Sequence, residues 1–211
     1  MYQKEFIYCH INPANDFKDG SKVNRGDKIG TMQKLPTRYS EKHHETIIKA
    51  RQLYNEKKYQ ETIALLLPAQ EDEPNNLFIL NDLARSMYWV EHMRPESFKY
   101  YRKLVDLIDS RHKSDEHVVV IDLWFAEAYW KLGTLYLDRH EYERAAYEIT
   151  KAIVAGIDNA PFIYEQALSY LTEAYFYIGD YELAKYFYYQ ALSVNPKNKY
   201  VLKYMELLKD K

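Results

Sequence analysis

The chain has 211 residues, enough for one core or one elongated array, and 47% hydrophobic with 28% charged residues excludes wholesale disorder. A net charge of −2 removes any global electrostatic case for nucleic acid or an anionic membrane as partner. The single cysteine, Cys9, excludes an intrachain disulfide and a zinc cluster, and six glycines with seven prolines are too few for a turn-rich sandwich or barrel.

Residues 1–40 differ from the rest and are expected to form a short N-terminal appendage, irregular or β-hairpin-like. Three of the six glycines, Gly20, Gly26 and Gly30, fall here. FIYCHI (6–11) predicts a short strand, and DGSKVNRGDKIGTM (19–32) alternates turn and strand signals. Residues 36–40 suggest a linker ending in a cap at Ser40. Residues 1–11 show no uninterrupted apolar h-region, since Gln3, Lys4 and Glu5 fall near the start, so no signal peptide is expected within them, and no apolar run approaches the length of a membrane span. The expected location is cytoplasmic.

Residues 41–211 form the second expected domain and follow helical periodicity. Ile47, Ala50, Leu53 and Tyr54 make one face, and Tyr59, Ile63, Leu66 and Ala69 make the next, closed by Pro74. Leu80, Leu83, Ala84 and Met87 lead to Phe98, Tyr101, Leu104 and Leu107, with Pro95 expected in the turn between them. A polar stretch, 109–116, is expected to interrupt. Residues 118–137 predict a long helix, followed by Tyr142, Ala145, Ile149 and Ala152 on a second. After the break at 159–161, Leu168, Leu171 and Tyr175 lie on one helix, and Ala184, Phe187, Tyr188 and Ala191 on its partner. Gly179 suits the end of the first and Asp180 the cap of the second, and Pro196 closes the pair. A last helix is expected over 200–208.

The pairs repeat. Ala50 and Ala84 stand 34 residues apart; Tyr142 and Tyr181, Ala145 and Ala184, and Ala152 and Ala191 each stand 39 apart. A period of about 34 residues is that of a two-helix repeat. Small residues recur in the first helix at Ala50, Ala84, Gly133 and Thr172, large ones three on at Leu53, Met87, Tyr136 and Tyr175, and small ones in the second helix at Thr62, Ser97, Ala145 and Ala184. Small residues belong where helices approach closely, with large ones filling the space beside them. On these residues the chain resembles tetratricopeptide-repeat (TPR) proteins over residues 43–211. The second unit departs by an extra residue near 91–96, and the third by Ile157 in place of its closing proline. The resemblance implies an all-α, right-handed solenoid of about four hairpins with a C-terminal capping helix.

The resemblance further implies a groove lined by the first helices that binds a peptide or protein surface. By position that groove contains Arg51, Tyr54, Asn55, Asn81, Arg85, Tyr88, Trp89, Trp130, Thr134, Glu173, Phe176 and Tyr177. Tyr, Trp and Arg are the types enriched at binding hot spots. Some TPR domains clamp a C-terminal carboxylate, but Ile47 and Arg51 stand where that clamp has Lys and Asn. The expected activity is a non-enzymatic adaptor for a protein or peptide partner, with a homo-oligomer left open. The alternatives are a chaperone or immunity-type protein masking one partner, or a structural spacer.

No cofactor or metal is expected. His43-His44-Glu45 has Ile48 where a zinc-protease helix has its second His, and His92, His112, His117 and His140 fall near turns and helix ends. The glycines of 24–30 lack a Gly-Lys-Ser/Thr ending. Residues 6–32 resemble a strand–hairpin fragment of lysostaphin-type peptidases, with His10 at the place of a catalytic His. That family's zinc ligands have no counterpart here, so at most a degenerate relative, without a working site, is implied.

Overall fold

In the computed structural model, residues 11–13, 30–32, 42–114, 123–157, 160–209 and 211 are described, with side chains for 42–110, 126–157, 160, 162–209 and 211. The chain divides into two compact units, Met1–His44 and Glu45–Lys211. In the first, β1 (Ile11–Pro13) pairs antiparallel with β2 (Gly30–Met32), with Asn12 opposite Thr31. The strand expected over 6–11 lies outside the described residues except Ile11, as do the cap expected at Ser40 and His10.

The helical array comprises four hairpins: α1 (His44–Asn55) with α2 (Tyr59–Asp72), α3 (Leu77–Tyr88) with α4 (Arg94–Ser114), α5 (Leu123–Leu137) with α6 (Tyr142–Val154), and α7 (Pro161–Ile178) with α8 (Tyr181–Val194). The small residues hold each hairpin closed. Ala50, Ala84 and Thr172 on the first helices and Thr62, Ser97, Ala145 and Ala184 on the second are all fully buried. The two hydroxyls on the second helices cross the interface: Ser97 Oγ donates to the Ala84 carbonyl at 2.9 Å, and Thr62 Oγ1 reaches the Ala50 carbonyl at 3.5 Å. At Gly133 the approach is closest. A Cβ there would lie 2.4 Å from Ile149 Cγ1 and 3.2 Å from the Ala145 carbonyl oxygen, so the third hairpin closes over a hydrogen.

The buried residues form three clusters, each built from neighbouring helices. Ile47, Leu66 and Leu83 pack α1 to α3 together; Leu80, Tyr101, Leu132, Ile149 and Leu171 fill the middle; Leu168, Ala184, Val201 and Tyr204 close the far end. α3 and α7 each give one face to each neighbouring cluster, as a stacked array requires, since a single hairpin cannot bury both its faces.

Three expectations need correction. The polar stretch after Asp109 does not end α4, which continues to Ser114; charged residues are good helix formers and break nothing on a solvated face. Pro95 sits in the first turn of α4, where its missing N–H has no intrahelical acceptor to lose, and the extra residues form a 3-10 turn, Glu91–Met93. The last helix is two, α9 (Lys199–Leu202) and α10 (Tyr204–Lys209), interrupted at Lys203. The helix expected over 118–137 is α5 from Leu123; residues 115–122 lie outside the described set.

Three of the four turns within the hairpins share a design. Lys57 (φ 61°), His140 (φ 59°) and Gly179 (φ 89°) adopt the left-handed conformation, and in each case a tyrosine two residues on, Tyr59, Tyr142 or Tyr181, opens the second helix. Asp180 caps α8 by accepting from the Leu183 N–H at 3.1 Å. The caps of α3 and α9 are Asn76 and Asn198, each accepting two backbone N–H groups.

Candidate binding face

Successive first helices present the same positions to one another. The residue after the small one is Arg51, Arg85, Thr134 or Glu173, and in the first half these positions carry an ion ladder. Arg51 Nε donates to Asp82 Oδ2 at 2.8 Å. Arg85 Nη1 lies 4.0 Å from Asp82 Oδ1 and its Nε 3.7 Å from Glu127 Oε1, while its guanidinium lies 4.6 Å from the centre of the Tyr54 ring. Asp82 is only 4% exposed, and burial outweighs both arginines to hold its carboxyl above the ordinary value. The arginines therefore serve the fold first: each is already engaged by a carboxylate of the next first helix.

The position of Asp82, two residues before the small one, is occupied in α5 by Lys131. The rung that joins Arg51 to a carboxylate thus brings Arg85 toward an ammonium. Lys131 is 8% exposed and makes no ion pair with a described residue. Its Nζ lies 4.2 Å from the ring centres of Tyr88 and Trp130 and 5.4 Å from that of Trp89. Burial drives its pKa down to about 8; Glu127 opposes that fall, and Arg85 and Arg94 add to it.

Five residues after the small one stand Asn55, Trp89, Asp138 and Tyr177. Trp89 stacks on Tyr59, with ring centres 6.2 Å apart and planes at 20°, and its Nε1 donates to the Tyr54 hydroxyl at 3.0 Å. Tyr177 stacks on Tyr142 at 4.7 Å and 17°. The same pair, an opening tyrosine of one hairpin against an aromatic of the next first helix, thus occurs twice. Trp89 and Tyr177 remain 54% exposed despite the stacking. Beside Trp89 lies a recess of about 350 Å³ lined also by Lys57, Tyr59, Glu61 and Val90.

The other expected residues divide by position. Asn81, Trp130 and Thr134 are buried; Thr134 Oγ1 bonds its own helix at the Lys131 carbonyl, 2.8 Å away. Asn55 is exposed and Tyr54 half-buried. Glu173 accepts a hydrogen bond from the Tyr200 hydroxyl, and burial raises its carboxyl above the usual range. Phe176 packs toward the chain end, 5.4 Å from Tyr204 and 5.8 Å from Tyr181. The structure therefore brings Arg51, Tyr54, Arg85, Tyr88, Trp89 and Trp130 together, and sets Glu173, Phe176 and Tyr177 in a second group. Sequence reasoning missed Asp82, Glu127, Lys131, Tyr59 and Tyr142; their fixed offsets from the small residues are the signal that finds them.

A larger recess of about 710 Å³ lies elsewhere, among Tyr129, Ala146, Tyr147, Lys151, Val154 and Ile178. Its inner polar groups satisfy one another: Asp109 accepts from the Tyr129 hydroxyl at 2.7 Å and from Lys151 Nζ at 2.6 Å.

No family model and no curated protein matches the sequence. Solved structures do match the fold. The MamA protein superposes with a TM-score of 0.58 at 20% identity, over 79% of this chain and 85% of that one. The nearly identical TPR-like repeats of a kinesin-light-chain-type protein from Podosopora anserina superpose at 0.52 and 14% identity, over 80% of this chain and 94% of theirs. The fold is a TPR-like α-solenoid. Within it, the first-helix face described above belongs to α1, α3, α5 and α7. No helix among the described residues is long and apolar enough to cross a membrane.

Proposed function

We propose that this chain is a non-enzymatic adaptor whose first-helix face forms a groove that captures an extended segment of a protein partner. The observation that carries the reading is the repeated aromatic pair: Trp89 and Tyr177 occupy equivalent positions, are braced by Tyr59 and Tyr142, and keep half their surface in water. A rigid, half-exposed ring is the side-chain type that binding interfaces use as an anchor, because little rotamer entropy remains to be lost. In the first half of the array the ion ladder joins successive first helices, from Arg51 through Asp82 and Arg85 to Glu127.

The test is a paired substitution that spares the ladder. Trp89→Ala with Tyr177→Ala removes two exposed rings and no buried charge. Loss of both anchors is expected to weaken retention of a captured segment by about thirtyfold per anchor, on the order of 2 kcal/mol each, with the helical circular dichroism unchanged. Undiminished retention by the double variant would remove these rings from the interface.

A further inference from the structure

We propose that Lys131 seats the carboxylate of an internal Asp or Glu of the bound segment, with Tyr88, Trp89 and Trp130 as the walls of that seat. This rests on the adaptor reading and names what the groove selects.

A buried ammonium normally has a carboxylate beside it, because the loss of hydration is otherwise uncompensated. Lys131 is buried among three rings, and no described carboxylate lies within ion-pair distance of it. Its local neighbours cannot supply one. Glu127, one turn back on the same helix, lies against Arg85; Asp82 is taken by Arg51 and Arg85; Asp138 lies 4.0 Å from Arg94. A second donor is unused: the indole Nε1 of buried Trp130 has no acceptor among the described residues, and Lys131 Nζ lies 4.2 Å from the centre of that ring.

Lys131 carries one charge, which a single carboxylate neutralises and a phosphate dianion would overshoot. An internal residue fits better than a chain end. The exposed anchors flank α5 on both sides, Trp89 on α3 and Tyr177 on α7, so a segment that uses both must continue past Lys131 in each direction.

The experiment uses the full chain and short peptides that are acetylated, amidated and randomised on both sides of a central residue, either Glu or Gln. Wild type is expected to bind the Glu pool about tenfold more tightly than the Gln pool, the worth of one charge-assisted hydrogen bond. Lys131→Arg should keep that preference, and Lys131→Met should bind both pools alike while melting no lower than wild type. Equal binding of the pools by wild type would overturn the proposal, as would a preference that survives in Lys131→Met. Stronger binding of peptides with a free C-terminus, or with phosphoserine at the centre, would assign the seat to another anion and overturn it equally. Failure of every pool to bind would instead overturn the adaptor reading beneath it.

Discussion

A lysine in an apolar setting taxes the fold, and the size of the tax can be measured. Lys131 has its pKa lowered from 10.5 to about 8, first by burial and then by Arg85 and Arg94, against the pull of Glu127. The unfolded chain therefore binds the proton more tightly than the folded one. Below pH 8 both states are protonated and the full cost is present; as pH rises from 8 to 10.5 the folded state deprotonates first and the cost is relieved. A shift of that size corresponds to about 3 kcal/mol. Urea unfolding of wild type and Lys131→Met should show the variant more stable at pH 7 by roughly that amount, with the gap closing toward pH 10. The difference between the two proteins isolates Lys131 from the tyrosines that also titrate there. A gap that stays constant with pH would mean that the ammonium is hydrated. Such a cost is tolerable in a protein only if something offsets it, and a ligand carboxylate is the offset argued above.

At the scale of the element, three of the four hairpin turns solve one geometric problem with different residues. Lys57, His140 and Gly179 all need positive φ, and only the glycine adopts it without a steric penalty of about 1 kcal/mol or more. Lys57→Gly is therefore expected to raise stability by up to about 1 kcal/mol, because the relief in the folded state exceeds glycine's added freedom in the unfolded one. Gly179→Ala should cost a similar amount, although a Cβ there would meet nothing within 4 Å beyond its chain neighbours, so the loss comes from the local backbone conformation and not from packing. Thermal unfolding of the two variants checks both signs; two losses, or two gains, would show that the turns are not equivalent. This design was half legible in the sequence. Gly179 followed by Asp180 announces the turn, because glycine and a capping aspartate are local signals. Lys57 and His140 announce nothing by type, and only the tyrosine two residues on marks them. The small residues were legible for the same reason as Gly179: Ala84 and Ser97 meet within one hairpin, so their spacing is short and fixed. The ion ladder was not. Arg51 and Asp82 lie on different hairpins, and their meeting depends on how the hairpins stack, which no local pattern encodes.

For the whole molecule the consequence of stacking is that stability passes from neighbour to neighbour, and the far end tests this. α9 and α10 bury Val201, Tyr204 and Leu208 against Leu168, Ala184 and Tyr188, and Phe176 leans on Tyr204. Removing residues 199–211 uncovers that surface. The gross loss is about 1.5–3 kcal/mol for each of the three buried side chains, reduced by the backbone entropy no longer spent on the short helices. α8 would then have water on both sides of its apolar stripe and only α7 to hold it. α3 to α5, several neighbours away, would lose no contact. Hydrogen exchange of the truncated chain should therefore show α8 and the end of α7 losing protection first and most, while the amides around Leu80, Leu104 and Leu132 stay near their wild-type rates. Were protection to fall evenly from α3 to α8, the four hairpins would be folding as one cooperative block, and the ladder from Arg51 to Glu127 would be carrying strain along the array instead of only registering adjacent helices.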